Sequence, residues 1–358
     1  MRILHFINNI DLSWYSMFLD MVHAQERLGH EVTIVIPPSG VNYKRLVNDG
    51  TDVIPLPVYS SKLDYFAAWK LAGIIRNRKI DILHTHLTSS AQLGSASARW
   101  AGVPCVASVL KMTRKNRYMK CDSLLPCSNA VLDDLKAQNV PDSMLRRVYT
   151  GIDLSRYFDS GSDEDAREEF GFSKDDKVFG SVARLVPMKG HKFLLQAFGA
   201  VSKKHPEARL LIVGDGELRE SLEEQAETSG IKDKVVFAGT RLDLKRILKT
   251  IDISVLASVE KEGLPVILVE SVLMGCPVVM SDVAGISEVV KDHETGLLVK
   301  PGDVDQLVGA MCEVLERPKE AAERMRSALD FVKREFDVNY TTAQIDEVYK
   351  KLSVAEAI

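Results

Sequence analysis

The sequence predicts an α/β protein that consists of two doubly wound, parallel-sheet domains in tandem. The chain has 358 residues, which is the usual length of about two domains. Short apolar runs rich in β-branched residues alternate with amphipathic helical patterns, and this alternation breaks once, near residues 153–165. Continuous apolar strands that alternate with helices are typical of βαβ units, in which helices cover both faces of a parallel sheet.

The first series of strands and helices occupies residues 1–150. Its predicted strands are residues 3–7, 32–36, 82–85, 105–109 and 124–126. Its predicted helices are residues 13–28, 65–78, 90–100 and 130–138. Gly29 and Gly102 follow two of these helices, where a left-handed glycine commonly ends a helix. This series predicts a first domain, to which we assign residues 1–155.

The second series follows residues 153–165, a polar stretch without periodicity that we interpret as a linker. Its predicted strands are residues 178–182, 210–213, 235–237, 253–256 and 278–280, and its predicted helices are residues 192–203, 217–228, 242–249, 265–274 and 305–315. We assign the second domain to residues 166–335 and a C-terminal tail to residues 336–358. Ligands of such sheets bind at the carboxyl ends of the strands, so we expect the site in a cleft between the two domains.

The composition excludes several classes of protein. Hydrophobic residues make up 46% of the chain and charged residues 27%, which excludes a disordered, collagen-like or coiled-coil chain. No apolar run approaches the roughly 18 residues that a membrane span needs, and the first apolar run is too short for a signal peptide. The 5 cysteines are scattered without a C-x-x-C pair, so we expect a reducing cytoplasm.

Charge is distributed unevenly along the chain. Residues 1–150 carry a balance of +6, whereas residues 151–358 carry −10. A basic first half indicates an anionic partner there, which the charge alone leaves open among a phosphorylated substrate, a membrane surface and nucleic acid. Chance scatter over a large surface is the alternative.

A phosphate site is predicted after the strand 178–182. Arg184 lies at the end of this strand, and Lys189 and Gly190 lie in the loop that enters the next helix. Cations and free helix amides directed at one place form a site for phosphate. An ordinary basic surface loop is the alternative.

Two glutamates mark the helix predicted over residues 265–274. Glu262 lies just before the helix and Glu270 lies inside it, eight residues later. Gly263 permits close approach of the backbone to a ligand. Glu262 alone is compatible with an ordinary helix-start carboxylate, but Glu270 lies among apolar residues, where a buried acid needs a partner. We therefore expect Glu270 to have a function.

The order of five motifs resembles a known family. The motifs AR-x4-KG, VGDGE, AGTRLD, EGLPVILVE and ETGLLVKPGD closely resemble those of retaining nucleotide-sugar glycosyltransferases of family 4, which have the GT-B fold of two Rossmann-like domains facing a cleft. EGLPVILVE matches the E-x7-E motif of that family. The first half is similar more loosely, through LGHEVTIVIP, PCSNAV and VYTGIDLSRYF. These stretches look most like bacterial enzymes of lipopolysaccharide core and cell-surface glycan synthesis, and residues 336–352 resemble the last helix of the family, which returns to the first domain.

The resemblance implies a role for each matching residue. Arg184 and Lys189 would grip the donor diphosphate and neutralise the leaving nucleotide. Glu262 would contact the donor sugar, and Glu270 would accept hydrogen bonds from the ribose. The other implied donor contacts are Gly214, Asp215, Thr240 and Arg241 around the base, and Gly263, Leu264, Pro265 and Val266 at the start of the helix.

The resemblance also implies the reaction. We expect transfer of a hexose, with retention of its anomeric configuration, from a UDP- or GDP-linked sugar to a glycan or lipid-linked acceptor in cell-envelope polysaccharide synthesis. No metal and no cofactor are expected. Fixed cations and a helix N-terminus would lower the barrier by stabilising the departing diphosphate.

Two departures from the family pattern bear on activity. The family usually has a glycine-rich loop after its first strand, where this chain has Asn8-Asn9-Ile10-Asp11, and often a histidine where this chain has Leu110. These departures motivate one rival function, a nucleotide-sugar-binding partner subunit that has lost catalysis. The other rival is a nucleotide-sugar epimerase, which would share the same two-domain plan.

Candidate acceptor contacts lie in the first half. His84 and His86 share one face of a strand end, where they fit acceptor contacts, a weak metal pair or buried structural histidines. We favour the structural histidines over a metal pair because no third ligand is evident nearby. Residues 111–120 contain five cations and no acid, which indicates a phosphorylated or lipid-linked acceptor or an anionic membrane surface at the inner face. Nucleic acid is not expected, since Tyr118 is the only aromatic residue there. The candidate acceptor residues are Asn9, His86, Lys111, Arg114, Lys115 and Arg117.

Overall fold

The computed structural model describes residues 1–8, 15–39, 41–58, 64–158, 164–260 and 262–355. The chain forms two compact units, Met1–Asp153 with Glu335–Ile358, and Leu154–Arg334. In the described ranges no helix combines the length and the apolar character that a membrane span requires.

The first unit contains a parallel sheet covered by helices. In chain order its elements are β1 Arg2–Ile7, α1 Tyr15–Arg27, β2 Glu31–Ile36, α2 Val41–Asn48, β3 Asp52–Pro55, α3 Tyr65–Asn77, β4 Ile82–His86, α4 Thr88–Ala101, β5 Cys105–Val109, β6 Ser123–Pro126 and α5 Asn129–Ala137. The strand order is β3-β2-β1-β4-β5-β6, with every pair parallel.

The second unit repeats this topology. Its elements are α6 Ser155–Phe158, β7 Lys177–Val182, α7 His191–Lys204, β8 Ala208–Val213, α8 Arg219–Thr228, β9 Val235–Gly239, α9 Leu244–Thr250, β10 Ile253–Leu256, α10 Val266–Leu273, β11 Val278–Ser281, β12 Leu297–Val299, α11 Val304–Glu316 and α12 Pro318–Glu335. The parallel sheet has the order β12-β11-β10-β7-β8-β9. The predicted fold class is therefore confirmed.

The last helix, α13 Val338–Ala355, belongs to the first unit. Its Ile345 and Tyr349 pack with Ile3, Ile82 and other residues of one face of the first sheet. The opposite face of this sheet packs on α3 and α4 through a separate apolar cluster that includes Leu4. Alternation of side chains along each strand supplies both cores, since Ile3 and Leu4 point to opposite faces.

In both sheets the strand order reverses beside the first strand. The reversal lies between β1 and β4 in the first unit and between β7 and β10 in the second. In open α/β sheets this reversal leaves a crevice at the carboxyl ends of the two strands, where ligands bind. The loops that leave β1, β4, β7 and β10 are therefore the places where ligand contacts are expected.

Candidate functional site

An ion pair lies at the reversal point of the second sheet. The loop after β7 carries Lys189, and the loop after β10 carries Glu262. The Lys189 Nζ lies 2.6 Å from the Glu262 Oε2, and the exposed fractions of the two side chains are only 14% and 8%. The Ser258 hydroxyl donates a hydrogen bond to the other oxygen of Glu262. Two residues that the sequence predicts for one site, 73 positions apart, are thus in direct contact.

Close approach of backbone holds this site in shape. Gly190 has φ 66°, and a Cβ there would lie 1.9 Å from the carbonyl oxygen of Ala257. Gly214 has φ 131°, and a Cβ there would lie 2.0 Å from the carbonyl oxygen of Ala183. These positions tolerate only glycine, because a side chain would clash with backbone and the left-handed conformation is unfavourable. The loops after β7, β8 and β10 are therefore packed backbone against backbone.

Helix α10 begins directly after the loop that follows β10, and no side chain caps its N-terminus. Pro265 precedes the first helical residue, Val266. The backbone of Gly263 packs against Gly285, where a Cβ would lie 1.9 Å from the carbonyl oxygen of Gly263. Leu264 is half-buried. The start of a helix carries a partial positive charge and free amides, which suit an anionic ligand.

Glu270 is held by a tyrosine that the sequence analysis did not single out. Glu270 is 5% exposed in α10, and the Tyr157 hydroxyl donates a 2.8 Å hydrogen bond to its Oε1. Tyr157 lies in α6, inside the stretch that the sequence indicated as a linker. The aromatic residue in the motif VYTGIDLSRYF was the available signal. The prediction that Glu270 needs a partner agrees with this contact.

The remaining predicted donor residues differ in how they are placed. Arg184 and Thr240 are exposed, and Asp215 accepts a 2.7 Å hydrogen bond from the amide of Gly216. The Arg241 guanidinium donates to Asp243, with its Nη2 at 2.6 Å, and it also pairs with Glu169. The hydrogen bond from Arg241 lowers the pKa of Asp243 to about 2. The Arg241 side chain is thus anchored to two carboxylates, whereas Arg184 forms no ion pair with any described residue.

A histidine cluster occupies the reversal point of the first sheet. His5 on β1 is the register partner of His84 on β4, and His86 lies two residues further on the same face. The His86 Nε2 lies 2.9 Å from the His5 Nδ1, and the His5 Nε2 lies 2.7 Å from the Gln25 Oε1. Since the Gln25 oxygen only accepts, His5 carries its proton on Nε2, and its Nδ1 accepts from His86.

The chain of hydrogen bonds continues to α13. The Gln25 Nε2 donates to the Tyr349 hydroxyl at 3.3 Å, and this hydroxyl lies 2.5 Å from the His84 Nδ1. The His84 Nε2 lies 2.8 Å from the Ser108 Oγ. Tyr349 therefore donates to His84, which in turn donates to Ser108. The donor-to-acceptor direction of these hydrogen bonds fixes one tautomer for each of the three imidazole rings.

Burial keeps the three histidines neutral. His5, His84 and His86 are at most 1% exposed, and desolvation lowers the pKa of each, that of His5 to about 4. The expectation that no third ligand lies near His84 and His86 is wrong, because ligand atoms of all three rings lie within 4.8 Å of one another. Hydrogen bonds between His5 and His86, and from His5 and His84 to neighbouring side chains, give these rings partners within the protein. A second group with metal-ligand chemistry in the described residues is His205, Cys312 and Glu316.

A small cavity adjoins the cluster. His86 and Leu110 line it together, with Ser108, Thr150 and Gly151 among the other lining residues. Its volume of about 30 Å³ is room for about one water molecule. Leu110 therefore shares a cavity wall with a predicted acceptor residue, His86.

The predicted acceptor loop is partly anchored and partly exposed. Lys111 and Arg114 are exposed, the backbone amide of Lys115 donates to Gln138 at 2.8 Å, and Arg117 donates to Gln92 at 3.3 Å. Tyr118 is only 1% exposed and belongs to the core. The aromatic residue of this segment is thus structural, whereas Lys111, Arg114 and Arg117 are exposed to solvent. Asn9, the remaining acceptor residue, lies outside the described residues.

Backbone strain marks the start of α4, which sequence reasoning did not single out. Leu87, directly after His86, has φ 69° and precedes the first helical residue, Thr88. The Asn8 amide donates a 2.7 Å hydrogen bond to the Ser90 hydroxyl, which ties the end of β1 to this helix. Non-glycine residues with positive φ cluster at binding and catalytic sites. This edge of the first sheet is thus a second candidate for ligand contact.

Comparison with known proteins agrees with this arrangement. The family model described as Glycosyltransferase Family 4 matches residues 16–156, and the model described as Glycosyl transferases group 1 matches residues 162–329. The first range includes β2 to β6 of the first sheet, and the second range includes β7 to β12 of the second sheet.

Individual relatives are similar over most of the chain. An Escherichia coli UDP-Gal:alpha-D-GlcNAc-diphosphoundecaprenol alpha-1,3-galactosyltransferase is 29% identical over 268 residues, 69% of each chain. A phosphatidyl-myo-inositol mannosyltransferase of Mycolicibacterium smegmatis is 25% identical over 95% of this chain and 90% of its own. The crystal structure of Anabaena Alr3699/HepE in complex with UDP and glucose superposes with a TM-score of 0.86 at 20% identity, covering 98% of this chain and 99% of that one. This last likeness confirms the fold.

Proposed function

The chain belongs to the family 4 glycosyltransferases, with a group 1 domain as its second half, and we propose that it moves a hexose from a nucleotide-diphospho-sugar to a lipid-linked or glycan acceptor of the bacterial envelope. The anomeric configuration is retained, and neither a metal nor another cofactor takes part. The donor is bound by the second unit and the acceptor by the first.

The Lys189–Glu262 pair carries this proposal. The Lys189 Nζ lies 2.6 Å from the Glu262 Oε2, in the loop that leads into the uncapped start of α10, and this contact supports a fixed cation near that helix start. When the bond between the anomeric carbon and the diphosphate breaks, negative charge accumulates on the leaving phosphate. A preorganised cation and helix amides stabilise that charge without reorganising, which lowers the barrier. Arg184, exposed and unpaired among the described residues, supplies a second cation.

Glu262 has two roles in this proposal. Its Oε2 holds the Lys189 ammonium, and its Oε1 accepts from Ser258, so the carboxylate is fixed before the donor arrives. In the donor complex it contacts the sugar hydroxyls. Glu270, oriented by Tyr157, accepts the ribose hydroxyls of the nucleotide. Two carboxylates on one short segment thereby position the sugar and the nucleoside separately.

The donor is a UDP-sugar in this proposal, with a GDP-sugar as the other choice. The E. coli relative is named for UDP-Gal, and the Anabaena structure contains UDP. Both observations support uridine as the base, whereas neither bears on which hexose this chain transfers.

The acceptor in this proposal is anionic. The two curated relatives are named for a diphosphoundecaprenol-linked sugar and a phosphatidyl-inositol, both of which carry phosphate. Residues 1–150 of this chain have a balance of +6, and the loop after β5 exposes Lys111 and Arg114 beside a strand end. Cations at this edge suit a phosphorylated acceptor, and the enzyme works at the inner face of the membrane, in the cytoplasm.

Thermal-shift measurements with UDP, GDP, ADP and their sugars test the donor assignment. A stabilising shift with one diphosphate that is lost in Lys189→Met supports the proposal. The same preparation is then incubated with the identified donor, with and without a lipid-diphosphate sugar acceptor. Transfer only with acceptor supports a glycosyltransferase. Conversion of the donor without acceptor indicates an epimerase, and binding without transfer or hydrolysis indicates a subunit that lacks catalysis.

A further inference from the structure

Helix α3 exposes an unusual row of aromatic side chains. Tyr65, Phe66 and Trp69 are 64%, 62% and 62% exposed, although aromatic residues ordinarily contribute to the core. The Phe66 and Trp69 rings stack with a centroid separation of 6.2 Å. The opposite side of the helix, with Ala68 and Leu71, is fully buried against the sheet. The helix is therefore firmly docked, and its aromatic side remains open.

Positive charge accompanies this aromatic row. The Lys70 Nζ lies 4.4 Å from the centroid of the Phe66 ring, and Arg76 is exposed two turns further along. Helix α3, Tyr65–Asn77, contains no acidic residue. Arg78, just beyond the helix, is neutralised by Asp52 at 2.8 Å. The uncompensated charge on this side thus comes from Lys70 and Arg76.

A groove runs beside the aromatic row. It has a cavity volume of about 340 Å³ and lies between the end of β3, at Pro55 and Pro57, and α3, at Trp69 and Arg76. Gly73 forms part of its lining, and a Cβ at that position would meet nothing within 4 Å. The groove is therefore open, with an indole on one side and cations at its rim.

The position of α3 in the fold relates this groove to the acceptor. Because α3 follows the parallel strand β3, its first residue, Tyr65, lies toward the carboxyl edge of the sheet. His86 at the end of β4 and Lys111 after β5 belong to the same edge. The aromatic start of α3 and the candidate acceptor residues thus face the same side of the first unit.

We propose that the α3 face, defined as Tyr65, Phe66, Trp69, Lys70 and Arg76, docks on an anionic lipid bilayer. Aromatic side chains with cations and no acids suit the boundary between headgroups and acyl chains, where rings insert and ammonium or guanidinium groups meet lipid phosphate. The groove at Trp69 accommodates a headgroup. The biological purpose rests on the proposed function, because docking presents this edge of the sheet to a lipid-linked acceptor.

Vesicle flotation of the full chain tests this surface. Vesicles of phosphatidylcholine with phosphatidylglycerol are compared with pure phosphatidylcholine, using wild type, Phe66→Ser/Trp69→Ser, Lys70→Gln and the control Tyr340→Ser. Tyr340 is an aromatic residue of α13 with 47% exposure, and α13 covers the other face of the sheet. Circular dichroism and size-exclusion chromatography with light scattering establish folding and oligomeric state for every variant.

We expect wild type and Tyr340→Ser to bind the anionic vesicles alike. Phe66→Ser/Trp69→Ser should bind at least about tenfold more weakly, since two large apolar groups no longer insert. Lys70→Gln should bind about fivefold more weakly, and this deficit should shrink at high salt. Trp69→Phe, which keeps an aromatic ring, should retain binding. Donor binding, measured in solution, should be unchanged in all of them.

Three results would overturn the proposal. The first is that wild type does not bind the vesicles at low salt, and the second is that wild type and Phe66→Ser/Trp69→Ser bind them equally. The third is that this double substitution dissociates a wild-type oligomer, which would assign the face to a second copy of the chain. Failure here with intact donor binding and transfer to a soluble acceptor leaves the proposed function in place. Loss of donor binding in wild type contradicts the proposed function itself.

Discussion

The Lys189–Glu262 ion pair gives the sharpest prediction, because both side chains are largely shielded from solvent and are in contact. Lys189→Met removes the cation from the Glu262 carboxylate, which is 8% exposed, and leaves it the hydrogen bond from the Ser258 hydroxyl. Removing one member of a buried pair commonly costs about 3–5 kcal/mol of folding free energy. Glu262→Gln leaves the Lys189 ammonium, which is 14% exposed and better hydrated, so we expect it to cost less. The double substitution should recover much of the loss, because no charge remains unpaired.

Nucleotide binding separates this structural role from the proposed one. Lys189→Met should weaken UDP or GDP binding by about 1.5–3 kcal/mol, the usual value of a hydrogen bond to a charged group, which is roughly a tenfold to hundredfold loss. It should affect the bare nucleoside far less. Glu262→Gln/Lys189→Met restores folding without restoring the cation, so its diphosphate affinity should remain low.

The assays are urea denaturation for the four-member cycle and isothermal calorimetry with nucleoside and nucleoside diphosphate. Binding is measured well below the temperature at which each variant unfolds. Additive losses of folding free energy would refute the direct pairing, since residues in contact couple. Equal losses of affinity for nucleoside and diphosphate would refute the placement of Lys189 at the phosphates.

Three further predictions concern Tyr157, the buried histidines and the basic loop. Tyr157→Phe removes the 2.8 Å hydrogen bond to Glu270, so donor KM should rise by about fivefold, for a bond worth roughly 1 kcal/mol, with kcat little changed, as steady-state kinetics will show. Burial lowers the pKa of both His5 and His191 from 6.5 to about 4 in the folded state, so the unfolded chain takes up protons first as the pH falls. The free energy of unfolding should therefore fall by several kcal/mol as the pH drops from 6.5 toward 4. Urea midpoints that do not change over this range would contradict this prediction. Arg114→Ser/Lys115→Ser/Arg117→Ser should weaken use of a phosphorylated acceptor at low salt and leave donor affinity unchanged, and wild-type acceptor kinetics in this variant would make the loop an ordinary solvated surface.

Local patterns predicted most of the strands and helices, but they missed the helices α2 and α12. Strands β3 and β12 were not predicted, and each has a physical reason. Residues 52–55 form an edge strand with an exposed residue at each end, and residues 297–299 form a strand of only three residues. None of the residues of β3 is buried, so its sequence carries no clear signal of a core strand. Strand β12 is apolar and buries Leu297 and Val299, but it is too short to stand out as a strand. The short helix at residues 155–158 was predicted as part of a linker because it is too short to show periodicity. Its Tyr157 makes a tertiary contact with Glu270.

The part of the candidate site that was predictable from the sequence is the part whose residues lie close together along the chain. Glu262 and Glu270 share one segment, so their spacing is visible in the sequence. The contact between Lys189 and Glu262 depends on the reversal of strand order between β7 and β10, which a sequence does not display. His5 joins His84 through the register of β1 with β4, and Tyr118 in the basic loop turns into the core. Contacts that arise from topology therefore had to come from the structure.

The proposed function, transfer of a sugar with retention and without a metal, is tested by measuring the transfer reaction itself. The purified chain is incubated in EDTA with the nucleotide sugar that it binds and with a lipid-diphosphate sugar acceptor, and the product is analysed by nuclear magnetic resonance of its anomeric proton. We expect a new glycosidic bond with the same anomeric configuration as the donor, formed only when acceptor is present and lost in Glu262→Gln. An inverted linkage, or a strict requirement for Mg²⁺ or Mn²⁺, would contradict it.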